Sequence, residues 1–478
     1  MSYKRKKTKI VATLGPAICK KKTLLDLIST GVNVFRINFS HANYENVKKS
    51  IREIREINSE YNYNVAILAD LQGPKLRIGE MKSNVCLSKG DEISFATGKE
   101  FVGSKNRVHI SYKKFPADTN VGEQILLDDG KLIFQVISTN KKDEVVAKVI
   151  QGGVLYSKKG VNLPNTNISQ PALTKKDKKD ALFAIKQKVD WIALSFVRNA
   201  KDLKDLESII SKNSNHKIPI IAKIEKPEAV KNIDSIISSC DGLMVARGDL
   251  GVELPAQEVP LIQKQLVLKA KSARIPVIIA TQMMESMIES LSPTRAEVND
   301  VANSVMDGAD AVMLSGETSV GKYPVEVIQT MSDIIKSVEG SDLIDLPQKH
   351  PHIKTKRYIT KSICYHAAHM ANQINARGIT TLTNSGYTAF QISAWRPKSH
   401  ILVYSSNKRI IPQLNLLWGV RAFYYNKYVS TDQTLEDING MAVKSGYLEK
   451  GDMVISLAAM PIKDKGMVNT LRVTEIKS

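Results

Sequence analysis

Eight apolar runs constrain what this chain can fold into: KIVATLGP, VNVFRINFS, NVAILADLQGP, VDWIALSFV, IPIIAKIEK, DGLMVARGDLG, IPVIIATQM and ADAVMLSGE. Each is rich in Val, Ile, Leu and Ala, and helical stretches separate most of them. Such runs suit strands covered on both faces of a parallel sheet. Eight of them predict a closed (β/α)8 barrel rather than an open sheet. Helices are expected over 22–30, stopped by Gly31, and over 44–58. The alternation breaks once. Over 75–171 helical periodicity is absent, and short alternating strands with turns such as Asp129-Gly130 and Gly152-Gly153 predict an inserted small β-barrel unit. The barrel is therefore expected to comprise 1–74 and 172–345. A linker near 342–356, with Pro347 and Pro351, leads to a third α/β unit over 346–478 with strands RGITTLT, HILVYS, VRAFYY and GDMVISL.

Charge narrows the partners. The chain of 478 residues carries a formal net charge of +20. Over 346–478 there are 18 Lys and Arg against 7 Asp and Glu, so more than half the excess lies there. Anionic partners are expected: phosphorylated metabolites, nucleic acid or phospholipid. The basic residues lack aromatic interleaving and match no nucleic-acid motif, which argues against nucleic acid. No apolar run reaches the ~18 residues of a membrane span. Cys19, Cys86, Cys240 and Cys364 are widely spaced, as expected of a reducing, cytoplasmic setting.

In a (β/α)8 barrel chemistry sits where the strands end. Here those ends hold Arg36, Asn38, Ser40 and His41; Asp70; Lys223 and Glu225; Arg247, Gly248 and Asp249; Thr281 and Gln282; Ser315 and Glu317. One polar strand end is usually a cap or loop residue. Six such ends converging on one mouth would assemble cations and carboxylates. Glu225 and Asp249 offer hard oxygen ligands, which suit Mg²⁺ or Mn²⁺ rather than zinc. Arg36, Lys223 and the Gly248 N–H can donate to phosphate or enolate oxygens. A carboxylate-held divalent ion with Arg and Lys is equipment for phosphoryl transfer. Neither GxxxxGK[ST] nor a strand-following GxGxxG is present, so nucleotide binding needs another device.

The motifs NVFRINFSH, KGVNLP, IAKIE, DGLMVARGDLGVE, IATQMMESM, PTRAEVNDVAN and GADAVMLSGETSVGKYP, in this order across the chain, closely resemble the pyruvate kinase family. The resemblance implies a barrel, a β lid inserted after the third strand and a C-terminal α/β domain. It implies an Mg²⁺-dependent enzyme that moves the phosphoryl group of phosphoenolpyruvate to ADP, giving pyruvate and ATP. By the same resemblance Arg36 and Lys223 hold the phosphoryl group, Glu225 and Asp249 hold the divalent ion, and Gly248, Asp249 and Thr281 meet the substrate. Thr281 lies near the face where the enolate is protonated. Asn38, Phe39, Ser40, His41, Arg77 and Lys159 fall at nucleotide-binding positions. Asn38, Ser40, Asp70 and Leu71 fall at a potassium-type site. A homotetramer is also implied. Another barrel enzyme acting on phosphoenolpyruvate or pyruvate would share the metal and the arginine, but not the β insertion.

Two segments depart from the common family pattern. In Asp70-Leu71-Gln72-Gly73-Pro74-Lys75-Leu76-Arg77 a threonine has become Leu71, a lysine Gln72 and a glutamate Lys75. The local charge is conserved only if the potassium ion is absent, so the Lys75 ammonium is expected to replace K⁺, which would not be required. Between a strand and a helix, Thr383, Ser385, Gly386 and Thr388 form a hydroxyl-and-glycine loop able to hold a phosphate. The resemblance makes it an effector loop for a sugar phosphate or nucleotide. The family's later glycine-rich effector loop is here LAAMPIKDKGMVNT, with Ala458 and Ala459.

Overall fold

The computed structural model describes residues 6–164, 166–341, 357–427, 430–461 and 466–477. The expected linker over 342–356 and the lysines Lys463 and Lys465 lie outside the described residues.

The eight apolar runs form eight parallel strands in a closed barrel: β1 (Lys9–Thr13), β2 (Val34–Asn38), β3 (Ala66–Asp70), β4 (Trp191–Leu194), β5 (Ile220–Ile224), β6 (Gly242–Ala246), β7 (Val277–Ala280) and β8 (Ala311–Leu314). Each pairs with its sequence neighbours, and β1 closes on β8 with Lys9 beside Ala311. Nearly every strand residue is buried, because alternate side chains fill the barrel and the helix-facing layer. The inner layer includes Val11, Val34, Leu68, Trp191, Met244 and Ile278. The first helix spans Lys21–Thr30, and Gly31 at φ 142° caps it by donating to Leu27 O. The second, Tyr44–Tyr61, runs three residues past the expected end before Asn62 turns left-handed.

Between β3 and β4 the chain leaves the barrel. Seven of its strands form one sheet, running from Leu76–Arg77 through Gly160–Asn162 to Arg107–His109 at the far edge, and Val85–Leu87 pairs with Gly153–Leu155 in a separate two-stranded sheet. An isolated bridge between Ile78 and Ile110 ties the two outer strands together. A separate core of Phe95, Phe115, Ile125 and Phe134, among others, fills it. One turn of helix, Phe115–Asp118, interrupts the β pattern, with Pro116 at its start.

The C-terminal unit is a five-stranded sheet ordered Val420–Tyr424, His400–Ser405, Gly378–Leu382, Met453–Ala458 and Thr470–Glu475. The first four are parallel. The last is antiparallel, an edge strand that lacks a strong apolar run and was not foreseen. This unit closes the end of the barrel opposite the strand C-termini. Leu416 packs into the inner barrel layer, Trp191 Nε1 donates to Gln413 O, and Arg396 pairs with Asp310 at 2.8 Å. Only the other mouth, under the β insertion, is left for chemistry. No helix among the described residues is long and apolar enough to cross a membrane.

Candidate active site

Strand direction delivers the predicted residues to one mouth. Arg36, on β2, is buried, and its Nε donates to Asp70 Oδ2 at 2.7 Å while Nη1 donates to Thr13 Oγ1 at 3.1 Å. Lys223, on β5, is the centre of the cluster. Its ammonium lies 3.2 Å from Asp70 Oδ1, 2.9 Å from Glu225 Oε1 and 2.6 Å from Ser195 Oγ. Burial raises the Asp70 carboxyl, but the Lys223 and Arg36 cations outweigh it and hold the group below the usual range. Burial likewise works against the Lys223 charge, and Asp70 and Glu225 overcome it, so the ammonium is held charged. Glu225 is the opposite case. Burial, with the Asp249 carboxylate adding to it, pushes Glu225 up despite Lys223.

Glu225 Oε2 accepts from Phe196 N at 2.7 Å, which fixes the carboxyl plane. Asp249 sits on the short Arg247–Glu253 helix that leaves β6. Among the described residues no group of three or more His, Cys, Asp and Glu gathers as a metal cage. Glu225 and Asp249 are instead an open pair of carboxylates, and the Asp249 charge adds to the burial that raises the Glu225 carboxyl. A hard divalent cation relieves that repulsion, so the donor set fits Mg²⁺ or Mn²⁺.

Thr281 follows directly on β7 in a left-handed conformation, φ 71°, and Gln282 comes next at 54°. A β-branched residue there costs about 1–3 kcal/mol and persists only when its surroundings over-determine it. Here they do. Thr281 Oγ1 accepts from Gly248 N at 2.7 Å and donates to Ala280 O at 2.6 Å, and Arg247 donates to Thr281 O at 2.8 Å. Arg247 is itself held by both oxygens of Asp300, at 2.6 and 2.7 Å. Asp300 lies on the Arg295–Asp307 helix, whose Thr294–Glu297 capping box is the PTRAE segment. That segment thus supports the Thr281 turn from behind. The Gly248 N–H, expected to face substrate, is taken by Thr281. Glu317 accepts from Met284 N and Ser315 N, and burial raises its carboxyl.

The nucleotide-type residues divide between barrel and insertion. Asn38 Oδ1 accepts from Ser40 N at 3.1 Å, and His41 is exposed beside them. The Phe39 ring is buried against Tyr44 and Phe183, and Lys176 donates to its carbonyl at 2.6 Å. Arg77 and Lys159 are on the insertion. Arg77 donates to Lys158 O, and Lys159 pairs with Asp128 at 2.8 Å.

Lys75 is not where it was expected. Its ammonium lies 3.2 Å from Asp249 Oδ1 rather than among Asn38, Ser40, Asp70 and Leu71. Three of those four positions already have partners: Asp70 has Arg36 and Lys223, Leu71 O has Ser195 Oγ at 2.7 Å, and Asn38 Oδ1 has Ser40 N. Beside Asp249 a cavity of about 840 Å³ opens between Lys75, Asp129, Gly248 and Gln282. Sequence reasoning also missed Ser195 and Thr13. Thr13 ends β1 and Ser195 follows directly on β4, so the rule that found Asp70 applied equally to them.

In the C-terminal unit Thr383, Ser385 and Thr388 line a separate cavity of about 280 Å³ with Arg357 and Ala459. Gly386 begins the Tyr387–Ala394 helix at φ 81°, and Thr383 Oγ1, rather than Ser385 or Thr388, accepts its N–H.

A closed parallel barrel whose one open mouth sets two buried cations among three carboxylates, under a β insertion, defines a barrel enzyme for anionic substrates. Comparison with known proteins gives the family. A profile described as the pyruvate kinase barrel domain matches residues 5–328, and one for the pyruvate kinase alpha/beta domain matches 361–474. Pyruvate kinase 2 of Synechocystis is 42% identical over 99% of this chain and 80% of its own length. A pyruvate kinase of Geobacillus stearothermophilus is 41% identical over 98% of the chain and 80% of its own. The crystal structure of a pyruvate kinase from Cryptosporidium parvum superposes with a TM-score of 0.91 at 34% identity, covering 98% of this chain and 96% of that one. The chain belongs to the pyruvate kinase family and is a phosphotransferase.

Proposed function

We infer that this chain transfers the phosphoryl group of phosphoenolpyruvate to ADP with Mg²⁺, or Mn²⁺, held by Glu225 and Asp249, and that it needs no K⁺. The observation that carries the reading is Lys223, a buried ammonium held charged between Asp70, Glu225 and Ser195 at 2.6–3.2 Å. Two polyanions must approach for this reaction, and phosphoryl transfer demands neutralisation and alignment rather than a nucleophilic side chain. Arg36 and Lys223 donate to the moving phosphoryl oxygens, and Asp70 and Ser195 aim them. When bound, the divalent ion offsets charge on the reacting oxygens. Arg77 and Lys159 on the insertion, with Asn38, the Phe39 backbone, Ser40 and His41 on the barrel, hold the nucleotide phosphates. Closure of the lid excludes water, a competing acceptor. Transfer leaves the enolate of pyruvate, which takes a proton at carbon on the Thr281 face. The strained, over-anchored Thr281 turn keeps that face in place.

Potassium independence rests on two features. Asn38, Asp70 and Leu71 of the potassium-type site already have partners within the chain, and Lys75 supplies a tethered cation at the mouth, on Asp249. A cytoplasmic homotetramer with a sugar-phosphate or nucleotide effector at Thr383, Ser385, Gly386 and Thr388 completes the reading. Steady-state ATP formation, titrated with Mg²⁺ and KCl in turn, tests it. No turnover without divalent ion and full turnover without KCl are expected. A rate that rises steeply with KCl would overturn the potassium claim.

A further inference from the structure

A second buried cluster lies between the lid and the barrel, and none of its members takes part in the chemistry above. Lys226 Nζ is 2.6 Å from Glu253 Oε1, and Asn162 Nδ2 donates to the same oxygen at 3.0 Å. All three residues are buried: Lys226 is 7% exposed, and Glu253 and Asn162 are each 4% exposed. A group kept out of water needs its partners, and a charge needs them most. Yet Glu253 Oε2 and Asn162 Oδ1 have no hydrogen-bond partner among the described residues. The cluster borders a cavity of about 30 Å³, which Lys75 and Asp249 also line.

The positions of the three in the chain give the cluster its meaning. Lys226 immediately follows Glu225. Glu253 is the last residue of the helix that carries Arg247, Gly248 and Asp249. Asn162 ends the lid strand Gly160–Asn162, three residues after Lys159. One carboxylate therefore joins both segments that carry the metal-type carboxylates to the lid strand next to a nucleotide lysine. Burial makes the connection stiff, because no water replaces a broken contact without the lid moving.

We propose that Asn162, Glu253 and Lys226 form a positioning latch, in which the Asn162–Glu253 hydrogen bond sets the lid over the barrel mouth and the Lys226–Glu253 ion pair holds the two carboxylate segments in register. The latch rests on the lid-borne nucleotide site proposed above. Asn162 acts on the nucleotide alone, through the position of Lys159 and Arg77. Glu253 acts on nucleotide and divalent ion together. A smaller closed fraction lowers apparent nucleotide affinity by the same factor.

The test is steady-state kinetics on the full-length enzyme with ADP, phosphoenolpyruvate and Mn²⁺ titrated separately. Asn162→Ala raises the ADP KM about tenfold, the scale of one hydrogen bond to a charged group. It leaves the phosphoenolpyruvate KM and the Mn²⁺ midpoint within about twofold, the change a purely structural role would not separate. Asn162→Asp, equal in shape but repelled by Glu253, raises the ADP KM further. Glu253→Gln shifts both the ADP KM and the Mn²⁺ midpoint. If Glu253→Gln does not fold, the two Asn162 variants still decide. An unchanged ADP KM in Asn162→Ala, or equal changes in all three constants, overturns the latch. Wild-type protein that forms no ATP from ADP and phosphoenolpyruvate would instead overturn the reading on which the latch rests.

Discussion

Replacing Lys223 by methionine removes one ammonium from a site where it has three partners at 2.6–3.2 Å. The structure sets what remains. Asp70 keeps Arg36 at 2.7 Å, and Glu225 keeps the Phe196 N–H at 2.7 Å. Neither carboxylate is stripped bare, so the loss of stability should fall at or below the ~3–5 kcal/mol of a broken buried pair. The methionine stem fills most of the lysine's volume, and the barrel should still fold. Catalysis should suffer far more specifically. Removing one preorganised donor to a charge-developing oxygen typically costs about 10²–10³ in rate, or ~3–4 kcal/mol of transition-state stabilisation. The assay is coupled ATP formation at saturating ADP and phosphoenolpyruvate, with circular dichroism and thermal melting on the same preparation. A folded Lys223→Met protein that turns over within about threefold of the wild type would refute the reasoning, since it assigns this ammonium to the reacting phosphoryl group.

Three further outcomes are expected. Glu225→Gln and Asp249→Asn should move the Mg²⁺ activation midpoint upward by more than the roughly tenfold lower bound for an outer-sphere partner, and an unmoved titration in both would remove them as ligands. Lys75→Glu should convert a KCl-independent rate into a KCl-dependent one, at ionic strength held constant with an organic cation; a variant still indifferent to KCl would disconnect Lys75 from the potassium question. Burial, with Arg421 next, pushes the Lys6 amine down to about 7 from the usual 10.5 of a free lysine. Between those values the unfolded chain binds the extra proton, so stability should rise with pH through this window by at most ~1.4 kcal/mol per unit from this group. Thermal melts from pH 7.5 to 9.5 should show that rise reduced in Lys6→Met, and parallel curves would rule it out.

Much of the fold was legible because barrel strands are buried on both sides. Their apolar runs need no partner to be recognised, and each of the eight became a strand. The insertion was legible for the opposite reason, a loss of helical period at Lys75 with its return near Leu173. The edge strand Thr470–Glu475 was not, because it is half exposed and its residues carry no continuous apolar pattern. At the site, strand direction was enough to gather Arg36, Asp70, Lys223, Glu225 and Asp249 into one mouth. Contacts between distant segments were beyond reach. That Ser195 would orient Lys223, that Asp300 would brace Thr281 through Arg247, and that Lys75 would choose Asp249 over the Asp70 pocket all depend on which partners are already engaged. Sequence spacing says nothing about that competition.

The most direct test of the central claim is the forward reaction of the purified wild-type chain with ADP, phosphoenolpyruvate and Mg²⁺ in a potassium-free buffer, followed by phosphorus NMR. ATP should appear as phosphoenolpyruvate disappears, in equal amounts, with pyruvate as the other product and no reaction when Mg²⁺ is chelated. Phosphoenolpyruvate consumed without ATP, with inorganic phosphate released in its place, would contradict the assignment of this mouth to phosphoryl transfer onto a nucleotide.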